Sequence, residues 1–362
     1  MVRSRNYIAV PPGATIREQL GDRGMSQKEF AARMDMSEKH ISKLINGEVQ
    51  LTVETAVRLE MVLGVPAAFW NRLEAMYRED LIKTEAENSM DADVEIARRI
   101  PYSDMAKLGW VPATREPKEK VVNLRQYFEV VRLALLGNEQ ITRIACRRLV
   151  ITEKSDLAVM AWAQEAKIKA RDVRTAPVNV QGMINIIPEL RKMTVMGKGA
   201  CPVLSEHLAE CGIALVMLPR LRGSSVDGVT FADGNRIVVS ITNDVQYTDR
   251  LWNYLFHELA HIALGHVGRS GGTSDDEEAA ADRWSADSLI KAEVFEQFKR
   301  DGDYDERNVI RLAKELGIAP GIVVGRMQRE GMIKASVMNE LRDLCYNPIK
   351  RQDLTHATSD HP

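Results

Sequence analysis

The chain has 362 residues, 45% hydrophobic and 28% charged, with a formal net charge of −2. These values describe a folded protein of about two to three domains and exclude wholesale disorder and a globally basic nucleic-acid binder, although a local basic patch can still bind DNA. No apolar run reaches the about 18 residues of a membrane span, and the opening MVRSRNYIAVPPG lacks the continuous apolar segment of a secretory signal, so a cytoplasmic location with no membrane partner is expected. Cys146, Cys201, Cys211 and Cys345 lack zinc-ribbon spacing, and free thiols are expected of them.

The first elements are short helices. Ser26 can cap QKEFAARM, with Glu29 three residues on as a reciprocal capping box requires, and Ser37 can cap EKHISKLI, which stops at Asn46 and Gly47. Ala31, Met36, Ile41 and Leu44 recur at spacings that let the two helices share one core. These are the parts of a helix-turn-helix whose second helix presents polar side chains to a major groove. The PPG start and the pieces SQxEFA, SxxHISxLING and TVETAxRLxMVLGVPAAFW resemble the Cro/repressor-like DNA-binding domains, in particular antitoxin-repressors of the HigA type. The resemblance implies a double-stranded DNA operator as partner, a toxin-antitoxin setting and a homodimer. It also implies that Gln27 and Ser37 lie at DNA-facing helix N-termini, and that Glu38, Lys39, Ser42 and Lys43 face bases or nearby backbone. From Gly13 to Asp80 there are 9 Lys and Arg against 11 Asp and Glu, so affinity is expected to be modest and to depend on dimerisation.

The middle of the chain, residues 86–175, holds the proline-interrupted GWVPATREPKEK and the segments KVVNLRQYFEVVRLALL, ITRIACRRLVITEK and SDLAVMAWAQEAKIKA, whose apolar faces suggest a helical connector or dimer surface. The cluster Arg143, Arg147 and Arg148 reads as a solvated face rather than a DNA contact. Trp110 and Trp162 are expected to pack between this region and a neighbour.

After RTAPVNVQG the pattern changes. CPVLSEHLAECG reads as a helix, IALVMLP as a strand, LRGSSVDGVTFADGNR as turns and IVVSI as a second strand. Helices follow at Thr248 to Gly265 and Asp275 to about Phe298, then a final pair, Glu306 to Leu316 and Pro320 to Arg329, around GIAPG. The expected division is 1–85, 86–175, 176–345 and a flexible tail at 346–362.

The strongest chemical signal is HELAH, where His257 and His261 share one helix face and can converge on zinc while Glu258 approaches its water. His266 falls about 180° around from His257, just past Gly265 where the helix is expected to end, and one residue short of a third-histidine spacing, so a rim or capping role is expected of it. In DDEEAAADRW, Glu278 and Asp282 lie one turn apart, which resembles the ExxAD arrangement of the gluzincin class and implies Glu278 as ligand and Asp282 as acceptor for a ligand histidine; Glu277 is the alternative ligand.

With ECGIALVMLPRL, VDGVTF, IVVSI, FHELAHIALGH, EEAAADRWSADSLI and LAKELGIAPGIVVGRMQREG, this region resembles the ImmA/IrrE metallopeptidase family. That family often has Asn at the position of Asp282 and a Leu-Met-Pro where this chain has SLIKAE. The resemblance implies a zinc metalloendopeptidase: His257, His261 and Glu278 hold the ion and Glu258 moves the proton of the attacking water to the leaving amine. Tyr254 or Tyr247 is available for oxyanion support. The final helix pair itself looks like a helix-turn-helix; in the family it packs beside the peptidase domain, and Ile318, Val323 and Met327 are expected to help line the peptide cleft.

The fold expected is multidomain and mainly α, with a smaller α+β zincin-like domain and an N-terminal helix-turn-helix bundle. The function expected is a transcriptional regulator that cleaves a regulatory partner protein or toxin; the alternative is a non-hydrolytic antitoxin-repressor or sensor that uses the zincin fold for recognition.

Overall fold

The computed structural model describes residues 2–4, 7–88, 90–138, 153–224, 226–268 and 273–345; Arg143, Arg147, Arg148, Cys146 and the expected tail lie outside the described residues. The chain divides into two compact units, Met1–Val94 and Glu95–Pro362. Among the described residues no helix is long and apolar enough to cross a membrane.

In the first unit two short antiparallel strands, β1 (Val2–Arg3) and β2 (Ile8–Ala9), precede helices α1 (Gly13–Asp22), α2 (Gln27–Arg33), α3 (Glu38–Asn46), α4 (Val53–Leu63) and α5 (Ala67–Asn88). Ile16, Phe30, Ala31, Met34, Ile41, Leu44, Leu59 and Trp70 form its core, with Met36 packed at the edge. The helix starts follow from their caps. Ser26 accepts the Glu29 amide and Ser37 the His40 amide, each at 3.2 Å. Only half of the expected box at Ser26 forms, because the Glu29 carboxylate pairs with Arg33 instead. A Cβ on Gly13 would fall 1.9 Å from the Ile45 carbonyl oxygen, so the PPG start lets α1 cross the end of α3 at backbone distance.

Helices α6 (Asp91–Ala97), α7 (Tyr102–Lys107), α8 (Pro117–Phe128), α9 (Lys154–Ala170), α10 (Val180–Lys192) and α11 (Ala200–Glu210) lead into a three-stranded sheet. Its order is β3 (Ile213–Leu218), β5 (Arg236–Thr242), β4 (Gly228–Asp233), with β3 parallel and β4 antiparallel to β5. The stretch expected to be turns thus contains an edge strand: only Gly234 and Asn235 form the hairpin loop, with Asp233 opposite Arg236. Ile213, Leu215, Ile237, Val239 and Ile241 point to one face, where they share a core with the next helix, α12 (Thr248–Ala263). Alternate residues on the central strand are buried as well, as expected for a sheet covered on both faces. Helix α9 packs on the sheet, and Trp162, 1% exposed, donates its indole N–H to the Pro219 carbonyl. The middle segment is therefore joined to the sheet through Trp162, as expected; Trp110 is half-buried.

The second unit continues with α13 (Asp275–Leu289), α14 (Ala292–Asp301), α15 (Glu306–Leu316) and α16 (Pro320–Arg329). The helix expected to run from Asp275 to Phe298 is broken at Ile290, which is extended and fully buried. Arg326 of α16 donates to the carbonyls of Ala286 and Ile290, satisfying the end of α13 from a neighbouring helix. Ile318, Val323 and Met327 lie in the core and do not line the cleft, contrary to expectation. Val323 and Met327 are on a helix buried from Gly321 to Met327 and Ile318 is buried in the turn before it, so packing uses all three up.

Candidate metal centre

Helix α12 has one face of Leu251, Leu255, Phe256, Leu259 and Ile262 in the core, which leaves His257, Glu258 and His261 on the side of a cleft of about 260 Å³. Across it, α13 places Glu278 and Asp282 one turn apart. The start of α13 is fixed by a complete capping box in which the Ser274 amide donates to Glu277. That contact occupies Glu277, the alternative ligand, and leaves Glu278 facing the histidines.

The Nε2 atoms of His257 and His261 are 3.1 Å apart, and Glu278 Oε2 lies 3.2 Å from the first and 3.7 Å from the second. All three ligand atoms lie within 4.8 Å of one another. Each of these side chains is held by its other polar atom. Asp282 Oδ1 is 2.8 Å from His257 Nδ1, His266 Nδ1 is 2.9 Å from His261 Nδ1, and Thr273 donates to Glu278 Oε1. Two imidazoles and a carboxylate that converge with their outer atoms anchored are the N,N,O donor set that zinc takes, so the residues fit the ion.

Glu258 sits behind this cluster and is 4% exposed. Thr230 of β4, itself buried, donates to Glu258 Oε2 at 2.6 Å. Glu258 Oε1 lies against Gly228, where a Cβ would come within 2.4 Å of it. The edge strand is thus a cradle for the carboxylate, a role that its turn-forming residues do not signal. Of the two tyrosines considered for oxyanion support, Tyr254 lines the cleft, whereas Tyr247 stacks under the Arg342 guanidinium, 4.0 Å from its ring centre. Beside Tyr254 on the rim, Asp227 pairs with Arg220.

The electrostatics suit a cation. Burial lowers the proton affinity of His257, but the hydrogen bonds to Asp282 and Glu278 outweigh it and push the pKa up to about 10. Burial raises the Glu278 carboxyl, yet contacts with His257, His261 and Thr273 hold it well below the usual carboxylate range. For Asp282 the His257 contact dominates and the pKa falls. Glu258 moves the other way: burial raises it, and His257, His261 and Thr230 offset only part of that. A neighbourhood that draws protons onto an imidazole while keeping its carboxylates ionised also draws a divalent cation.

In the first unit Gln27, Ser37, Glu38, Lys39 and Lys43 are exposed and Ser42 is half-buried, while Ile41, Leu44 and Ile45 turn inward. His40, which sequence reasoning passed over, is exposed on the same helix. The Ser37 hydroxyl is committed to its cap.

Comparison with known proteins supports both halves. Residues 16–70 match the family described as "Helix-turn-helix", and residues 211–328 match the "IrrE N-terminal-like domain". Over 80 residues the chain is 32% identical to the uncharacterized HTH-type transcriptional regulator YddM of Escherichia coli (strain K12), a match that covers 22% of this chain and 81% of that protein. Among solved structures, an addiction module antidote protein of a HigA family from Coxiella burnetii is similar, with 23% identity, 24% of this chain and 94% of that chain covered, and a TM-score of 0.22. The chain belongs, through its N-terminal unit, to the helix-turn-helix transcriptional regulators, and it carries an IrrE/ImmA-like domain in its C-terminal part.

Proposed function

We propose that this chain is a DNA-binding transcriptional regulator whose C-terminal domain is a zinc-dependent endopeptidase that cleaves a regulatory partner protein. It would act in the cytoplasm as a homodimer on a DNA operator. The observation that carries the reading is the convergence of His257, His261 and Glu278 on one side of the cleft with Glu258 cradled beside them.

His257, His261 and Glu278 would hold the ion, and Asp282 keeps His257 turned toward it. When bound, zinc supplies Lewis acidity to a substrate carbonyl and favours deprotonation of water. Glu258 accepts the proton of the attacking water and delivers it to the leaving amine, and its burial raises its proton affinity toward that task. Thr230 and Gly228 fix the carboxylate at the cleft wall, so it needs no reorientation. Tyr254, which lines the same cleft, would support a developing oxyanion. In the N-terminal unit, Gln27 and the capped end of α3 at Ser37 would meet phosphates, while Glu38, Lys39, Ser42 and Lys43 would read bases or adjacent backbone.

The test compares new protein N-termini in cells that express the full chain as wild type or as E258Q. The reading requires cleavage products present with the wild type and absent with E258Q, and purified wild type that reproduces the cut on the candidate partner. Identical N-termini in both cells, together with intact purified candidates, would replace the peptidase by a recognition domain.

A further inference from the structure

A straight helix would carry His266 to the far side of α12 from His257, but the helix has already ended. Gly265 takes up the left-handed conformation at φ +70°, its amide bonds back to the Ile262 carbonyl, and the His266 amide bonds to the His261 carbonyl at 2.9 Å. These are the two bonds of a Schellman motif, in which the residue after the glycine folds back over the residue four positions before the glycine. That contact is commonly apolar; here it brings two imidazoles together, with Nδ1 facing Nδ1 at 2.9 Å. Both rings are buried, His261 at 1% and His266 at 7% exposure.

We propose that His266 is a positioning residue of the metal centre, whose Nδ1 accepts the Nδ1–H of His261 and so fixes the tautomer that turns the His261 Nε2 lone pair toward the ion. The inference rests on the zinc reading of the site. An imidazole that ligates through Nε2 must carry its proton on Nδ1, and a buried N–H needs an acceptor. His257 has one in Asp282, a carboxylate whose side chain is 72% exposed. His261 is enclosed, and His266 offers it a neutral acceptor held in place by the turn. Two unlike acceptors thus serve two like ligands, one from a following helix and one from the helix's own end.

The test is competition for Zn²⁺ between a chromophoric chelator and the full-length protein, as wild type, H266F, H266A and H266N, with Co²⁺ absorption as a second readout of coordination. Phenylalanine keeps the ring volume without an acceptor, and the asparagine Oδ1 stands where the histidine Nδ1 stood. H266F and H266A are expected to bind zinc about 10- to 100-fold more weakly and to show altered Co²⁺ bands, with H266N restoring most of the affinity. H266F or H266A that binds as tightly as the wild type overturns the proposal, as does an H266N no better than H266F. A wild type that takes up no zinc overturns the metal reading itself, an outcome distinct from both.

Discussion

Among the described residues there are two helix-turn-helix arrangements, and they differ in what they leave exposed. In α2 and α3 the second helix is capped by Ser37 and shows Glu38, Lys39, His40 and Lys43 to solvent. In α15 and α16 the second helix opens with Pro320 and is buried without interruption from Gly321 to Met327. The first turn between them is governed by Asp35 and Ser37, the second by Gly317 at φ +66°. Two short helices joined by a tight turn are therefore a packing solution, and only the one that keeps a polar face open has anything to offer a DNA groove. The buried one serves the IrrE/ImmA-like domain: Arg326 caps α13, which carries Glu278, and Gly325 lets Asp249 at the start of α12 reach Arg342.

The comparison breaks if polarity is forced into the buried pair without consequence. Val323→Asp should destabilise the second unit by about 4 kcal/mol or more, because an unpaired carboxylate replaces a fully buried side chain. Lys39→Asp on α3, an exposed position, should leave the urea midpoint of folding within error while abolishing DNA binding. Gly325→Ala comes next. The new Cβ would sit 2.3 Å from Asp249 Oδ2, parting a buried ion pair held by 2.9 and 2.8 Å bonds. The expected loss is about 3 kcal/mol by urea denaturation.

The exposed pair is sharpened by gentler changes. Lys43→Ala should weaken binding to a duplex selected from a random pool about tenfold and reduce the salt dependence by about one phosphate contact, with folding unchanged. The K39A/S42A double variant should shift base preference at similar stability; anisotropy at two salt concentrations reads both. Ser37→Ala should cost the first unit about 1 kcal/mol in thermal unfolding, since the His40 amide loses its acceptor.

Periodicity made the helices and both flanking strands legible, because apolar spacing reports which face is buried. It failed at β4, where Gly228 and Asp233 look like turn formers, and only pairing with β5 makes the segment a strand. It failed again at Ile290, whose apolar side chain continues the helical pattern although the backbone leaves it. The residues that converge on the candidate centre could be read from helical phase: His257, His261, Glu278 and Asp282 all sit on regular helix. Thr230, Thr273 and His266, which help hold them in place, could not. Thr230 reaches the centre across a tertiary contact, Thr273 from just ahead of the α13 cap, and His266 by folding back over His261 in the cap that ends α12 at Gly265. A glycine followed by a polar residue at the end of a ligand-bearing helix is the local signal that could have found it.

The central claim is that His257, His261 and Glu278 hold zinc and that Glu258 works beside the ion without binding it. The direct measurement is zinc content per chain by atomic emission, on wild type, H261A and E258Q prepared in parallel and checked for folding. Glutamine keeps the shape of Glu258 and can still accept from Thr230, so E258Q should retain the wild-type stoichiometry of about one ion per chain, while H261A should lose it. Zinc retained in H261A, or lost from a folded E258Q, would contradict the assignment of ligands and base.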